Sequence, residues 1–266
     1  MEWSNIHRDV VGEGRGRTGK DMKSKVIIVM PAYNAATTLE KTVQDIPQGF
    51  ADEIILVDDS SKDNTVRIAK NLGLTVIVHD HNRGYGGNQK TCYDEALKRD
   101  ADIAIMIHPD YQYDSSLAPF FTELVQRGIC DLVLGSRVRT RRECLDSGMP
   151  FYKYLANRFL TILENLVTGQ NLSEWHTGYR AYSRRVLERI PYHQNSNDFL
   201  FDSQFLIQAA YFGFKIGDLP VPCRYMKEAS SIHFSRSMVY GLGTIKTLFQ
   251  FILQKFHLWK FSIFGV

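Results

Sequence analysis

The stretch VIIVMPAYN, residues 26–34, decides the fold class of this chain. An apolar run that begins at Val26 stops at Pro31, and the polar pair Tyr33 and Asn34 follows directly. Short apolar runs closed by a turn residue are typical of buried strands. The same pattern, an apolar run followed by polar side chains, recurs at 53–59, 103–112 and 131–137. We therefore predict several buried strands that each end in a polar motif.

Segments with helical periodicity separate these runs, and this alternation predicts an α/β fold. The predicted strands cover residues 26–30, 53–57, 74–78, 103–107 and 131–134. The predicted helices between them cover residues 35–45, 63–72, 87–99 and 115–127. Strict alternation of this kind predicts a mostly parallel sheet with helices on both faces.

The second half of the chain is less regular. It predicts helices at 150–169, 198–212 and 237–258, a strand at 177–182 and an edge strand within 217–225. Residues 1–23 are polar and rich in glycine and arginine, so we expect a flexible N-terminal extension. The expected organisation is this extension, an α/β domain over 24–235 and a C-terminal amphipathic helical segment over 236–266.

The predicted C-terminal helix carries one apolar stripe. Its members are Val239, Leu242, Ile245, Phe249, Ile252 and Phe256. Packing of this stripe against the core is the simpler interpretation. The alternative is peripheral contact with a membrane, where Lys246, Lys255 and Lys260 would complement anionic lipid.

The composition limits the partners and the compartment. A net charge of +3 is too small to indicate nucleic acid. The four cysteines form no CxxC pair, which indicates reduced thiols in a cytosolic compartment. No apolar run reaches the ~18 residues that span a bilayer, and no signal-peptide pattern is present. We therefore expect a cytoplasmic protein, with the cytoplasmic face of the membrane as a further option.

The polar motifs stand directly after predicted strands, and such strand ends converge on one crevice in open α/β sheets. One motif contains His108, Asp110 and Gln112, which are two residues apart on an extended segment and so point the same way. These side chains suit Mn²⁺ or Mg²⁺ held against a diphosphate. The alternative is a polar turn without a ligand.

Two further motifs suit a nucleotide. In Asp58-Asp59, one carboxylate suits the N–H edge of a base and the other suits the metal, although Ser60 and Ser61 also suit helix capping. The segment 82–91 contains glycines, among them Gly84 and Gly86, that would let the backbone approach a nucleotide. It is one residue away from a P-loop, and a plain glycine-rich turn is the remaining interpretation.

Charged residues elsewhere suggest how an acceptor is handled. Arg137 follows a strand end directly and is a natural fork for phosphate oxygens. A phosphate acceptor needs no general base, whereas a hydroxyl acceptor needs one, for which Asp198 and Asp202 are candidates. Capping of the helix that follows is the alternative interpretation for Asp198.

Three motifs, VMPAYN at 29–34, VDDSSKDNT at 57–65 and HPDYQ at 108–112, resemble family 2 glycosyltransferases of the GT-A fold in order and spacing. GSR at 135–137, NR at 157–158 and TGYRAY at 177–182 look like the dolichol-phosphate mannose synthase branch. The resemblance implies inverting transfer of a sugar from a GDP- or UDP-sugar to a polyprenyl phosphate. The implied donor-binding residues are Pro31, Ala32, Tyr33, Asn34, Asp58, Asp59, Gly84 and Gly86.

The same resemblance implies that Asp110, Gln112 and His108 lie at the metal and the diphosphate. It places Ser136, Arg137 and Lys153 at the acceptor phosphate. It places Arg180 at the junction of donor and acceptor. The implied catalytic residues are Asp110, Arg137, Arg180 and, for a hydroxyl acceptor, Asp202.

The chain departs from that branch at two places. His108 replaces the first aspartate of the usual DxD motif, and its softer nitrogen ligand favours Mn²⁺ over Mg²⁺. Glu228 stands near the place of an arginine usual in the branch, with Arg224 and Lys227 as substitutes. The competing hypotheses are transfer to a sugar hydroxyl, a P-loop ATP-binding protein, and a nucleotide-sugar binder without catalysis.

Overall fold

The computed structural model describes residues 24–137, 140–146, 149–224 and 234–265. The predicted N-terminal extension, residues 1–23, lies outside this part of the chain. The strands are β1 (Val26–Ala32), β2 (Glu53–Asp58), β3 (Thr75–Val78), β4 (Ile103–Met106), β5 (Leu132–Ser136), β6 (Arg180–Ser183) and β7 (Ile216–Pro220). All seven predicted strands are present.

The helices of the first half are α1 (Leu39–Gln44), α2 (Thr65–Asn71), α3 (Tyr85–Lys98) and α4 (Ala118–Gln126). Those that follow are α5 (Arg141–Asp146), α6 (Phe151–Thr168), α7 (Arg184–Arg189), α8 (Phe201–Tyr211) and α9 (Phe234–Lys255). The short helices α5 and α7 were not predicted. With six residues each, they are too short to show a helical period in sequence.

The strands form one sheet in the order β3-β2-β1-β4-β6-β5-β7. Every neighbouring pair is parallel except those made by β6, which runs antiparallel to both β4 and β5. The predicted mostly parallel sheet and the predicted edge position of the last strand are therefore confirmed. The reversed strand β6 brings the segment 172–179 to the same edge of the sheet as the end of β4.

Helices cover both faces of the sheet, as predicted. Ile27 and Val29 of β1 pack on one face with residues of α3 and α8. Ile28 and Met30 pack on the other face with residues of α1 and α4. Because β1 is buried on both faces, its sequence is a continuous apolar run rather than an alternating one.

Most of the apolar stripe of α9 faces away from the core, so the core-packing interpretation holds only for Ile252. Val239, Leu242 and Phe249 are 70%, 63% and 59% exposed. The buried side of the helix holds Leu248 and Phe251 together with polar residues, namely Thr244, Thr247 and Gln254. These polar groups bond locally: Gln254, for instance, accepts from the backbone N–H of Phe261 at 2.9 Å. Hydrophobicity alone therefore selected the wrong side of the helix.

Candidate active site

A cleft of about 930 Å³ opens where β1 and β4 end. Its walls come from the loops after these strands, the first residues of α3, the segment 196–199 and the first turn of α9. Thirteen residues of this cleft lie within motifs that the sequence singled out, and eight of them were named as site residues. Those eight are Pro31, Ala32, Tyr33, Asn34, Asp59, Gly84, His108 and Asp110. The motifs at the ends of β1, β2 and β4 therefore meet at one crevice as predicted, whereas Ser136 and Arg137 at the end of β5 do not line it.

The other predicted site residues lie behind or beside the cleft. They are Asp58, Gly86, Gln112, Ser136, Arg137, Lys153, Arg180 and Asp202. Arg180 is fully buried, so in this structure it lies behind the predicted junction of donor and acceptor. Asp198, which sequence suggested as a base or a cap, does line the cleft. Its Oδ1 accepts from the N–H of Phe199 at 2.8 Å, just before α8 begins.

Asp59 organises the glycine-rich loop. Its Oδ1 accepts from the backbone N–H of Arg83 at 2.8 Å, and its Oδ2 accepts from that of Gly84 at 3.0 Å. The His79 Nδ1 lies 2.8 Å from the same carboxylate. The carboxylate therefore anchors the start of α3. Because both of its oxygens already have protein partners, Asp59 is less suited to bind a metal than the sequence suggested.

The glycine-rich loop is not a phosphate cradle, and the P-loop hypothesis is wrong. The N–H of Gly86 donates to the carbonyl of Asn197 at 2.8 Å, while the N–H of Gly84 is taken by Asp59. The Lys90 ammonium donates to the carbonyls of His193 and Asn195, at 3.2 and 2.5 Å. The glycine amides and the lysine that a P-loop would turn toward phosphates are thus engaged by protein groups.

Packing, rather than approach to a nucleotide, explains the glycines. Gly84 has φ +84°, and a Cβ there would lie 2.6 Å from the carbonyl oxygen of Asn197. An L side chain is strained in that backbone region, and the space is also occupied. The loop and the segment around Asn197 therefore hold each other in place at the cleft wall.

A hydrogen-bonded chain runs from the cleft into the interior through Tyr85. Its hydroxyl donates to Oδ2 of Asp202 at 2.7 Å and lies 3.2 Å from Nε2 of His108. Because the single phenol proton goes to Asp202, Nε2 of His108 donates to the phenol oxygen. The lone pair of this imidazole then resides on Nδ1. Burial lowers the pKa of His108, which keeps the ring neutral and able to act as a ligand.

Asp202 is bound from several sides. Its Oδ1 lies 3.1 Å from Nη1 of the buried Arg180 and accepts from Nε2 of Gln89 at 3.2 Å. Its Oδ2 accepts from Tyr85. Asp202 therefore supports the floor of the site, and its oxygens have donors already.

Asp110 is the carboxylate best placed for a metal. It lines the cleft, and Oδ1 accepts from the N–H of Gln112 at 3.1 Å. Burial raises its pKa, against the opposing effect of His108. No group of three His, Cys, Asp or Glu side chains within the described ranges forms a complete metal site. One carboxylate with diphosphate oxygens and water suits Mg²⁺ or Mn²⁺, so these residues fit a cation that arrives with a substrate.

Two buried acceptor atoms lie beside the cleft without a donor from the described residues, Oδ1 of Asp58 and Oδ1 of Asn88. Asn88 donates to the carbonyls of Ala32 and Val57, at 3.3 and 3.0 Å, so its side chain is fixed. Asp58 accepts from the N–H of Ser61 at 2.9 Å through its other oxygen. Buried acceptors of this kind are usually satisfied, and base N–H or ribose O–H groups would satisfy them.

A second cluster, beyond Asp110, contains the predicted acceptor residues. Nε of Arg137 donates to Glu174 at 2.9 Å, and its Nη2 donates to the carbonyl of His176 at 2.6 Å. Ser136 is buried and accepts from Ser173 at 2.8 Å. Lys153 is half-buried, and burial followed by the charge of Arg137 lowers its pKa. Arg137 is thus held rigidly, and it raises the positive potential around Lys153.

Arg224, one of the predicted substitutes for the arginine that the branch usually carries, lies beside the motif 108–112. Its guanidinium lies over the ring of Tyr111, 4.4 Å from the centroid, and 3.5 Å from Asp45. Lys227, the other predicted substitute, lies outside the described residues, as does Glu228.

Sequence reasoning did not single out several residues of the site. Tyr85 and Asn88 stand in the glycine-rich motif, but their roles depend on partners far along the chain. Phe199 and Asn197 carry no sequence signal. Arg236 lines the cleft from the first turn of α9, three residues before the apolar stripe begins at Val239.

Comparison with known proteins agrees with this geometry. A family model described as Glycosyl transferase family 2 matches residues 27–191. A UDP-N-acetylglucosamine–dolichyl-phosphate N-acetylglucosaminyltransferase of Methanococcus voltae is 28% identical over 85% of this chain and 98% of its own length. A dolichyl-phosphate hexose transferase of Haloferax volcanii is 28% identical over 74% of this chain and 82% of its own.

Among solved structures, glucosyl-3-phosphoglycerate synthase from Mycobacterium tuberculosis superposes with a TM-score of 0.66 at 19% identity. The match covers 86% of this chain and 80% of that one. Its complex with Mn²⁺, UDP-glucose and phosphoglyceric acid gives a TM-score of 0.65 at 20% identity. This likeness shows the GT-A-like fold, and because the family model spans more than half of the sequence, the chain belongs to glycosyl transferase family 2.

Proposed function

We propose that this protein transfers a sugar, with inversion, from a GDP- or UDP-sugar to a polyprenyl (dolichyl-type) phosphate. One observation carries the proposal: α9 lines the cleft at Arg236 and exposes most of its apolar stripe to solvent, namely Val239, Leu242, Ile245, Phe249 and Phe256. A lipid-linked acceptor needs both features, because its phosphate must enter a polar cleft while its chain stays in an apolar phase. The names of the two archaeal relatives support the same acceptor class.

The exposed apolar surface extends onto a neighbouring helix. α6 packs against α9 and exposes further large apolar side chains, among them Phe159, Ile162 and Leu166. Lys246 and Lys255 are exposed on α9 and would face anionic headgroups. None of the helices in the described ranges has the length and apolarity to cross a bilayer. We therefore propose peripheral contact through α6 and α9, at the cytoplasmic face, where the free cysteines stay reduced.

The donor would lie along the cleft. Tyr33 is 52% exposed and offers a flat ring to the base, while Asp58 and Asn88 offer buried acceptors. Mn²⁺ or Mg²⁺ would be held by Asp110, with His108 as a further ligand, and would neutralise the charge that develops on the departing diphosphate. Whether the sugar is mannose, as in the branch that the motifs resemble, stays a prediction.

The reaction needs little proton transfer. An acceptor phosphate oxygen attacks the anomeric carbon, the bond from that carbon to the diphosphate breaks, and its electron pair leaves with the nucleoside diphosphate. A phosphate is already anionic at neutral pH, so no base is required. Lys153 and Arg137 would hold the acceptor phosphate, and Arg180 with Tyr85 would keep Asp202 and the cleft floor in place.

Transfer to a sugar hydroxyl is the second candidate, and one observation favours it. Asp198 is an exposed carboxylate that lines the cleft and keeps one oxygen without a protein donor among the described residues. Such a group suits a general base. Asp198→Asn separates the candidates: a phosphate acceptor predicts an almost unchanged rate, whereas a hydroxyl acceptor predicts a loss of about 10²-fold or more.

A direct assay tests the main proposal. The purified protein is incubated with UDP- and GDP-sugars, with and without Mn²⁺, and with either dolichyl phosphate or soluble sugars. We expect metal-dependent transfer to dolichyl phosphate from one donor class. Transfer to soluble sugars alone would support the second candidate, and hydrolysis or transfer with no combination would support the binder without catalysis.

A further inference from the structure

Arg236 is a cation on the cleft wall that has no anionic partner among the described residues. It lies in the first turn of α9 and is exposed. Among the residues that the structure describes, no carboxylate lies within ion-pair distance of its guanidinium. The other arginine of the cleft, Arg83, lies 3.4 Å from Asp80. Of the two cleft arginines, Arg236 is therefore the one without an ion-pair partner among the described residues.

The location is electrostatically unusual. The N-terminal end of a helix carries partial positive charge, so a cation in the first turn is disfavoured and an anion is favoured. α9 is a 22-residue helix with no acidic residue in its first turn. Arg236 and the helix end thus act in the same direction, and both would be stabilised by an anion in the cleft. The carboxylates that line the same cleft, Asp59, Asp110 and Asp198, form no ion pair with Arg236.

One helical turn further on, Tyr240 fixes this end of α9. Its hydroxyl lies 2.7 Å from Nδ1 of His176 and 2.5 Å from Oγ of Ser203. Nearby, a Cβ on Gly243 would lie 2.9 Å from a methyl carbon of Leu200, which shows how closely α9 approaches the start of α8. The first turns of α9 are therefore held against the elements that line the cleft.

We propose that Arg236 binds phosphate oxygens of a substrate in the cleft and that Tyr240 is the positioning residue that holds it there. The inference rests on the proposed function, because it takes its anion from the phosphorylated donor or acceptor. The same chemistry serves the diphosphate of the nucleotide sugar and the phosphate of the lipid. In both cases α9 would carry the phosphate-binding Arg236 at its first turn and the membrane-facing apolar stripe further along.

The experiment compares Arg236→Gln with Arg236→Lys and with Arg67→Gln, a control at an exposed arginine on α2 outside the cleft. Calorimetric titration with UDP and GDP, in Mn²⁺, gives the dissociation constant of the diphosphate. Initial rates against dolichyl phosphate give KM for the acceptor. We expect Arg236→Gln to raise either the dissociation constant of the diphosphate or the KM for dolichyl phosphate about tenfold. Arg236→Lys should raise the same constant less, and Arg67→Gln should leave both constants unchanged.

The outcomes separate the sources. A weaker diphosphate complex assigns Arg236 to the donor, whereas an unchanged complex with a raised acceptor KM assigns it to the acceptor. If both values match those of wild type and of Arg67→Gln, the role of Arg236 is overturned while the transferase stands. If wild-type protein binds neither UDP nor GDP and transfers nothing to dolichyl phosphate, the proposed function and this inference fail together.

Tyr240→Phe tests the positioning role. Loss of the hydroxyl should raise the same constant that Arg236→Gln raises and leave kcat nearly unchanged, because the change affects binding rather than the chemical step. In the double variant the two effects should not add, because Tyr240 acts through Arg236. Full additivity would overturn the positioning role.

Discussion

Tyr85 and Asp202 are joined by a 2.7 Å hydrogen bond from the phenol hydroxyl to Oδ2, although 117 residues separate them in the chain. On its other oxygen Asp202 faces the buried Arg180 at 3.1 Å. The carboxylate therefore links the cleft, through Tyr85, to a buried charge. This arrangement makes Asp202 a support of the site, where the sequence suggested a base.

Asp202→Asn should accordingly destabilise the protein. The amide leaves Arg180 buried without a counter-charge, and breaking a buried pair in this way costs about 3–5 kcal/mol. Chemical denaturation measures the loss. Asp198→Asn is the control, since its exposed side chain should shift the free energy of unfolding by no more than about 0.5 kcal/mol. Equal stability of the two variants would contradict the supporting role.

Asp110→Ala should abolish transfer without unfolding the protein. The variant removes the carboxylate that we propose for the metal, and loss of charge stabilisation at a departing group costs about 10²-fold or more in kcat. Transfer assays at several Mn²⁺ concentrations, together with electron paramagnetic resonance of bound Mn²⁺, measure both effects. Retained, metal-dependent turnover would show that the cation is held elsewhere.

The sequence predicted the sheet well because its signals are local. The runs at Val26 and Ile103 are buried on both faces, so periodicity and end points were visible without any partner. Strand ends of a parallel sheet meet at one edge by topology alone, which is why Asp59, His108 and Asp110 could be placed together. Local pattern and overall fold agree at these positions.

Sequence reasoning assigned wrong or incomplete roles to residues whose contacts lie far along the chain. The glycines at 84 and 86 looked like nucleotide contacts, but they fit against the segment around Asn197, more than a hundred residues later. Arg180 stands in a motif but is buried against Asp202. On the buried side of α9, Thr244 is satisfied by the carbonyl of Tyr240 one turn earlier, whereas Gln254 donates to the hydroxyl of Tyr211, 43 residues earlier in the chain. The hydrophobic pattern of α9 does not show that these polar side chains can be buried.

The buried pair Glu164 and His176 should make stability depend on pH. Nε2 of His176 lies 3.2 Å from Oε2 of Glu164. Burial raises the pKa of Glu164 well above its ordinary value, against smaller opposing effects of Ser203 and Arg180. Burial, with the charges of Arg137 and Arg180, lowers the pKa of His176 to about 3. The folded state thus holds a neutral acid beside a neutral imidazole.

The sign follows from the protons bound in each state. Above the unfolded pKa of histidine, the folded protein keeps one proton on Glu164 that the unfolded chain has lost, so stability falls as pH rises, by about 1.4 kcal/mol per unit. Below the unfolded pKa of glutamate, the unfolded chain binds the extra proton on His176, so stability falls as pH falls. Between the two values the effects oppose each other.

Glu164→Gln should remove the alkaline decline, and it should make the acid decline begin already below the unfolded pKa of histidine, because no Glu164 proton in the fold then offsets the proton that the unfolded chain binds on histidine. Denaturant unfolding of both proteins from pH 4 to 9 measures the two slopes. Glutamine keeps the size of the side chain and a donor toward His176, so the comparison isolates the ionisable proton. A wild-type stability that does not fall relative to the variant at alkaline pH would show that Glu164 is ionised in the fold.

Gly84→Ala should destabilise the loop through both strain and contact. Its φ of +84° and the Asn197 carbonyl 2.6 Å from the added Cβ act together. Gly128→Ala is the matched control, because φ is +66° there and nothing lies within 4 Å. The control should cost about 1 kcal/mol, the penalty of the left-handed backbone, and Gly84→Ala clearly more. If both variants lose the same free energy of unfolding, the segment around Asn197 must shift to accommodate the added Cβ at little cost.

Phe249→Glu should reduce membrane binding without loss of stability. Phe249 is 59% exposed on the apolar stripe, and Phe120, on the opposite part of the fold in α4, is 61% exposed. Phe120→Glu therefore introduces the same charge at a helical site of equal exposure that lies off the α6–α9 surface.

Flotation with anionic vesicles should show about tenfold weaker binding for Phe249→Glu, because the variant loses an inserted aromatic side chain and adds a repelled charge. The Phe120 variant should bind like wild type, and transfer to dolichyl phosphate in vesicles should follow the binding. Equal vesicle binding of the two variants would mean that the exposed stripe serves another partner. A lower free energy of unfolding in Phe249→Glu than in wild type would mean that Phe249 contributes to the fold.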